Sequence, residues 1–350
     1  MGRSVAALLL ASVLCAGRAE ARTLRFAGRD WIAAEGPCQA DNVCAAENAW
    51  VDGDGLHLRL STAPGGGYRA ASVESAEYTR YGVHRFHVRG PVADLPPNVV
   101  LGLFTFKNRP DLRDNNFIDA DLIARGEGEI DVELSRWGDA ASTAPNSYFT
   151  VQEGPPPAPA SNVSAASFAL DACSGLGCES THEFDWEPDR IRFRSAGGAS
   201  RVHEWTYPEP GRDGEAIPLE RLPTIDLNLY RADADDDSPG QAVEIVVTAA
   251  ELPIERVPVL SSGTASAAGF SVRYDDADGD APVAARAIVD GKDCGMRLVD
   301  GDPAGGVYLC AASVSTGSAH GYSFAFDDGH GGEARLPAAG LYEYQPPAGR

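Results

Sequence analysis

Residues 129 to 134 alternate strictly: Glu129-Ile130-Asp131-Val132-Glu133-Leu134. In an extended strand residues i, i+2 and i+4 share a face. Glu129, Asp131 and Glu133 therefore project from one side, and Ile130, Val132 and Leu134 from the other. The apolar side belongs in a core between two sheets, which leaves the acidic side to look into water or a cleft. Similar β-type runs recur at Leu56–Leu60, Gly82–Val88, Val99–Phe106, Arg190–Arg194, Val202–Tyr207, Ile225–Leu229 and Val243–Val247, most of them bounded by Gly, Pro, Asp or Asn. Helical periodicity longer than two turns is absent after the first residues. The pattern predicts an all-β protein built as a two-sheet sandwich.

At 350 residues the chain exceeds one small module and suits a larger domain followed by a smaller one. Two prolines and a Ser-Ser-Gly within Glu251–Thr264 place a linker at 255–264. The first domain then occupies 22–254 and the second 265–350. The second has its own strand series at Phe270–Tyr274, Ala285–Val289, Val307–Ala311 and Tyr322–Phe326, which predicts a small immunoglobulin-like β-sandwich. The Pro155–Pro159 run reads as a loop inside the first domain. With Lys+Arg 29 against Asp+Glu 51, the net charge is -22. Such a surface repels phosphate backbones and anionic lipid, which argues against nucleic-acid or membrane-surface partners.

Residues 1–21 read as a signal peptide: Arg3, an apolar run from Val5 to Cys15, and the small-x-small Ala19-Glu20-Ala21. No later apolar stretch is long enough to cross a bilayer. The expected location is secreted or extracellular, with the periplasm or cell surface as variants. Apart from Cys15, six cysteines remain, and they fall into three pairs close in sequence: Cys38 with Cys44, Cys173 with Cys178, and Cys294 with Cys310. Local disulfides in an oxidising compartment are the reading taken. None of the pairs has zinc-site spacing. Asn162-Val163-Ser164 matches the N-glycosylation triplet.

Three like charges in a row on one strand face repel, so a purely structural strand is seldom built this way. Crowding raises the pKa of at least one member and keeps a protonated carboxyl beside an ionised one. Glycoside hydrolysis needs such a pair. Residues i and i+4 of a strand lie roughly 13 Å apart at Cα. If each Glu leans about 4 Å toward the other, the gap approaches the ~5–5.5 Å of retaining enzymes. A solvated acidic face and a calcium site are the alternatives, although calcium usually takes its ligands from a loop. No G-x-S-x-G elbow and no H-x-x-x-H pattern supports serine or zinc chemistry.

Glu129-Ile130-Asp131-Val132-Glu133 resembles the E-I-D-x-E signature of family 16 glycoside hydrolases, the lichenase and laminarinase group. Tyr81-Gly82-Val83-His84-Arg85-Phe86 is similar to that family's Y-G-x-x-E-x strand, and Val99–Phe106 to the apolar strand that follows it. Thr181-His182-Glu183-Phe184-Asp185-Trp186-Glu187-Pro188-Asp189-Arg190-Ile191 resembles the segment H-x-Y-x-x-D-W-x-P-x-x-I. The likeness runs from Phe26 to Leu252. It implies a concanavalin A-like jelly roll, with Glu129 as nucleophile, Asp131 as assisting carboxylate and Glu133 as general acid/base. The unbulged five-residue spacing is similar to lichenases and xyloglucan-active members, whereas laminarinase-type members commonly carry a bulged six-residue form. Arg85 or Phe86 stands where the family often has an acid, and Ser135-Arg136-Trp137-Gly138 departs from typical lichenases.

Pyranose rings present apolar faces, so glycan clefts combine aromatic platforms with a few polar groups. Trp137 lies four residues beyond Glu133 and is expected on the same face if the strand continues. Asn146, Tyr148 and Gln152 belong to the next strand. Asn228 shares a face with Asp226, and Tyr230 ends that strand. All six are candidate substrate contacts. Trp186 is expected in the core and His182 at the surface or in a turn. The acidic turns Asp275–Asp280 and Asp327–Gly329 suit a hard cation in their alternation, but the twelve-residue loop ending in Glu is missing, so they read as solvated turns. The expectation is a monomeric, endo-acting β-glycanase that retains configuration, with β-glucan as the polysaccharide partner and no organic cofactor. Structural calcium is left open. A non-catalytic glycan-binding protein and a transglycosylase are the rival readings.

Overall fold

A computed structural model of the chain describes residues 22–63, 67–106, 129–141, 143–152, 163–173, 175–197, 201–208, 217–220, 222–233 and 242–347. The expected signal peptide at 1–21, the Gly126–Gly128 approach to the acidic strand, the Pro155–Pro159 loop and Asn162 lie outside the described residues. The chain divides into two compact units, Met1–Pro253 and Ile254–Arg350.

Strands are numbered in chain order. In the first unit one sheet has the spatial order β1 (Arg22–Phe26), β2 (Arg29–Ala33), β7 (Tyr68–Ser75), β16 (Thr224–Arg231), β9 (Val99–Phe106), β10 (Glu129–Leu134), β11 (Ser147–Gln152) and β12 (Val163–Phe168). The other has β5 (Ala49–Asp52), β6 (Gly55–Thr62), β17 (Val243–Glu251), β8 (Gly82–Arg89), β13 (Glu179–Glu187), β14 (Arg190–Gly197) and β15 (Val202–Tyr207). All these neighbours are antiparallel. Short β3 (Gly36–Pro37) and β4 (Val43–Cys44) pair with each other, and β4 runs parallel to β7. Neighbours such as β7 and β16 are far apart in sequence, so the chain crosses repeatedly between the layers. The result is a jelly-roll sandwich.

The core lies between the sheets. Ile130, Val132 and Leu134 from β10 are fully buried, as are Leu101 and Leu103 from β9 and Ile225, Leu227 and Leu229 from β16. Opposite them sit Phe86, Phe184, Ile191 and Phe193. Phe149 of β11 stacks on Phe193 of β14 across the layers at 5.0 Å between ring centroids, a geometry that aromatic pairs favour. Each strand expected in this unit is present, with ends displaced by a few residues. Trp186 is buried, its indole N–H donating to the Pro218 carbonyl at 3.1 Å. His182 overturns the surface expectation. It is fully buried on β13, with its ring nitrogens 2.9 Å from the hydroxyls of Ser195 and Ser180, and these hydroxyls satisfy an imidazole that a bare apolar core would reject.

In the second unit one sheet has the order β18 (Val259–Ser266), β19 (Gly269–Asp275), β23 (Gly305–Cys310), β22 (Arg297–Asp302). The other has β21 (Lys292–Gly295), β20 (Ala284–Val289), β24 (His320–Asp327), β25 (Glu333–Leu336), with β26 (Tyr342–Tyr344) also on β24. Its core is aromatic: Phe270, Tyr274, Tyr308, Tyr322, Phe324 and Phe326. The linker expected at 255–264 is corrected here, because most of it is strand β18. Ser261 and Thr264 flank a register shift at which Ser262 takes a positive φ of 54°, so small residues that resemble a tether instead form a bulged strand.

All three cysteine pairs are bonded as disulfides: Cys38–Cys44, Cys173–Cys178 and Cys294–Cys310. The last ties β21 of one sheet to β23 of the other. Replacing both Cys294 and Cys310 by Ala should lower the stability of the second unit by about 3 kcal/mol, the loop-closure entropy of a segment of this size. Denaturant unfolding followed through the tyrosines of that unit checks this, and an unshifted midpoint would contradict it.

Candidate active site

Strand β10 pairs with β11 over its whole length and with β9 over residues 130–134, with no register shift in either ladder. Because the pleat is unbroken, Glu129, Asp131 and Glu133 emerge on the sheet face opposite the core. The register also fixes their neighbours. On β11, Gln152 lies opposite Glu129, Thr150 opposite Asp131 and Tyr148 opposite Glu133. On β9, Phe104 lies opposite Asp131 and Gly102 opposite Glu133. On β16, Asp226 lies opposite Phe104 and Asn228 opposite Gly102, with Tyr230 two residues on. Glu74 and Ser72 of β7 continue the rows.

Asp131, in the middle of the row, is only 3% exposed, while Glu129 and Glu133 keep partial contact with solvent. Burial pushes Glu129 up to about 7, against a hydrogen bond from Asp131 that pulls it down. Burial also pushes Glu133 up to about 7, opposed by the Thr150 hydroxyl and helped by the charge of Glu129. Asp131 is raised well above the usual carboxylate range, first by burial and then by the charges of Glu129 and Glu133. Its hydrogen-bonding interaction with Glu129 raises it further and lowers Glu129 in turn. Thr150 donates to Glu133 Oε2 at 2.9 Å, and the Gln152 amide approaches Asp131 Oδ2 at 3.5 Å. With Glu129 and Glu133 raised to about 7, the row is poised to exchange protons near neutral pH, as acid–base chemistry requires.

The candidate substrate contacts divide. Tyr148 and Gln152 share the acidic face and flank the row. Burial raises the Tyr148 phenol, followed by the charges of Glu133 and Asp139. Tyr230 lies close enough that, after burial, the charges of Glu133, Glu129 and Asp131 all raise it. Asn228 is on this face too, but its Oδ1 accepts the Gly102 N–H at 3.1 Å. A Cβ at Gly102 would stand 2.6 Å from that oxygen, so only glycine leaves this arrangement intact in front of Glu133.

Two candidates are placed otherwise than the strand pattern implies, one beyond the end of its strand and one bonded elsewhere. Strand β10 ends at Leu134, and Trp137 sits in a turn at φ 50°, held by its N–H on the Ser135 hydroxyl at 2.9 Å. The strand on which its shared face depended has already ended. Asn146 is buried and acts as a structural bracket. Its Nδ2 donates to the carbonyls of Ala93 and Leu170, and its Oδ1 accepts the Leu170 N–H at 2.8 Å.

Sequence reasoning missed Thr150, Phe104 and Phe106. The two phenylalanines stand on the acidic face with ring centroids 6.3 Å apart, and Phe106 is 36% exposed. Gly102, interrupting an otherwise apolar strand, was the available sign that one face of β9 is not core.

In the second unit the acidic turns engage their own backbone. Asp276 Oδ1 accepts the N–H groups of Asp278, Gly279 and Asp280, Asp278 pairs with Arg256 at 2.6 Å, and Asp328 Oδ1 accepts those of His330 and Gly332. Among the described residues no group of three or more His, Cys, Asp or Glu is placed to hold a metal ion. No helix among them is long and apolar enough to cross a membrane.

Raised carboxylates also link stability to pH. Glu129 and Glu133 bind protons more tightly when folded than at their ordinary value of 4.5. Their contribution is complete below about pH 4.5 and is lost as pH rises through about 7. Asp131→Asn removes the most strongly perturbed member of the row. The melting temperature of the first unit should fall between pH 5 and 8 in the native chain and fall less in D131N, as scanning calorimetry would show. Equal slopes would contradict the assignment.

No family model matches the chain, and no curated protein matches it. Among solved structures it is similar to the β-glucanase of Bacillus licheniformis, at 15% identity and a TM-score of 0.44 over 65% of this chain and 92% of that one. An immunostimulatory antigen and pseudo β-1,3-glucanase of Mycobacterium tuberculosis matches at 17% identity and a TM-score of 0.45, over 65% of this chain and 91% of that one. The laminarinase catalytic domain of Thermotoga maritima MSB8 matches at 15% identity and a TM-score of 0.42, over 61% and 83%.

Proposed function

We propose that the first unit is a secreted, endo-acting β-glycanase that hydrolyses internal bonds of a neutral polysaccharide, β-glucan foremost, with retention of configuration. The observation that carries this reading is the unbulged row of Glu129, Asp131 and Glu133 outside the core, where burial raises all three carboxyls. Glu129, kept ionised by the proton of Asp131, attacks the anomeric carbon. Glu133 delivers its proton to the departing glycosidic oxygen and then takes one from the water that releases the glycosyl-enzyme. Tyr148, Gln152, Tyr230 and the Phe104–Phe106 pair would bind the sugars, the aromatic rings against apolar pyranose faces. The three disulfides favour an oxidising compartment, in keeping with secretion. The second unit would serve as a spacer or glycan-docking module.

Reducing-sugar release across mixed-linkage glucan, laminarin, xyloglucan, agarose and carrageenan tests activity and substrate together. Glu129→Gln should lower turnover on the order of 10⁴-fold and Glu133→Gln by about 10²–10⁴-fold, both with glycan binding retained. A native chain that binds but never cleaves is instead a lectin. Elongated products in the presence of an oligosaccharide acceptor would identify a transglycosylase.

A further inference from the structure

We infer that Thr150 is a positioning residue for Glu133, holding one carboxyl oxygen toward β11 so that the other carries the transferable proton, and thereby making the two glutamates unequal. The inference rests on the glycanase reading above and extends it to a residue with no assigned part. Thr150 lies directly opposite Asp131 in the β10–β11 register, yet its hydroxyl passes over Asp131 and donates diagonally to Glu133 Oε2 at 2.9 Å. A hydroxyl has one proton to give, so Thr150 serves Glu133 alone. The site is buried, and Thr150 itself is 6% exposed, so water does not readily replace the lost donor.

The consequence is a division of labour along the row. Asp131 is left to pair with Glu129 and to receive the Gln152 amide. Glu133, fixed through Oε2, presents Oε1 as the oxygen that carries and returns the proton. Other ionisable groups around Glu133 would push its protonation without orienting it. Among the described residues these are Glu129 and Asp131 along β10, Tyr148 on β11, and Tyr230 and Asp226 on β16. On β9 the position opposite Glu133 is Gly102, which brings no side chain. Thr150 is therefore the neutral donor to Glu133 in a setting dominated by acids.

Thr150→Val keeps the β-branched shape that suits a strand and removes only the donor. In the full-length protein, carboxyl ¹³C NMR should show Glu133 titrating at higher pH in T150V, because a donor to its ionised form has gone. Turnover of a polysaccharide should fall roughly ten- to hundredfold, and the alkaline limb of kcat/KM should move to higher pH. An aryl glycoside with a good leaving group, which needs little acid assistance, should lose less. Thr150→Ser should restore both the titration and the rate. Unchanged Glu133 titration and pH profile in T150V, with an active native enzyme, would overturn the role of Thr150 alone. A native chain with no turnover on any glycan would overturn the glycanase reading and this role with it.

Discussion

The site depends on one constraint: a strand that buries three apolar side chains must turn the residues between them to the other face. Burying Ile130, Val132 and Leu134 stabilises the fold by about 1.5–3 kcal/mol each, and each is fully sequestered between the sheets. A one-residue slip of β10 would exchange them with three carboxyls, which the core could not accept. The register shared with β9 and β11 is thus strongly specified. The crowding of Glu129, Asp131 and Glu133 follows from it.

From that crowding comes the electrostatics. Asp131, flanked on both sides by glutamates and almost without solvent, is the group least able to ionise. Its interaction with Glu129 lowers that neighbour in turn. The outer two differ in their donors, a carboxyl for Glu129 and a hydroxyl for Glu133. Strand geometry alone would have left them nearly equivalent. Inequality enters from β11, the strand that supplies Thr150, Tyr148 and Gln152 in alternate positions.

What could be read from the chain follows from how local each feature is. The acidic row was legible because period-2 alternation is a property of six consecutive residues. The three disulfides were legible because their partners are near neighbours in sequence. The ends of elements were not. Trp137 was placed by extending β10, but the Ser135 hydroxyl on its N–H and a positive φ turn the chain aside. Asn146 was placed on the next strand as a sugar contact, and its bracketing of Ala93 and Leu170 depends on long-range packing. Strand β9 is largely apolar on both faces, so Gly102 alone hints that Phe104 and Phe106 lie outside the core. Thr150 acquires meaning only from a cross-strand register. The Ser-Ser-Gly of β18 resembled a tether because small residues signal flexibility unless pairing partners are known.

Arg29, fully buried on β2, has a further consequence. Its guanidinium donates to the backbone carbonyls of Tyr78, Leu252 and Pro253, and the Thr79 hydroxyl adds a second bond to Pro253. Charge that deep needs acceptors, and two of its three carbonyls come from the final residues of the first unit. The last residues of the jelly roll thus act as a counter-dipole to a cation near its beginning. Trimming the chain a few residues short of Pro253 would strip acceptors from the interior, so the autonomous length of this fold is set by solvation of an arginine as much as by the last strand.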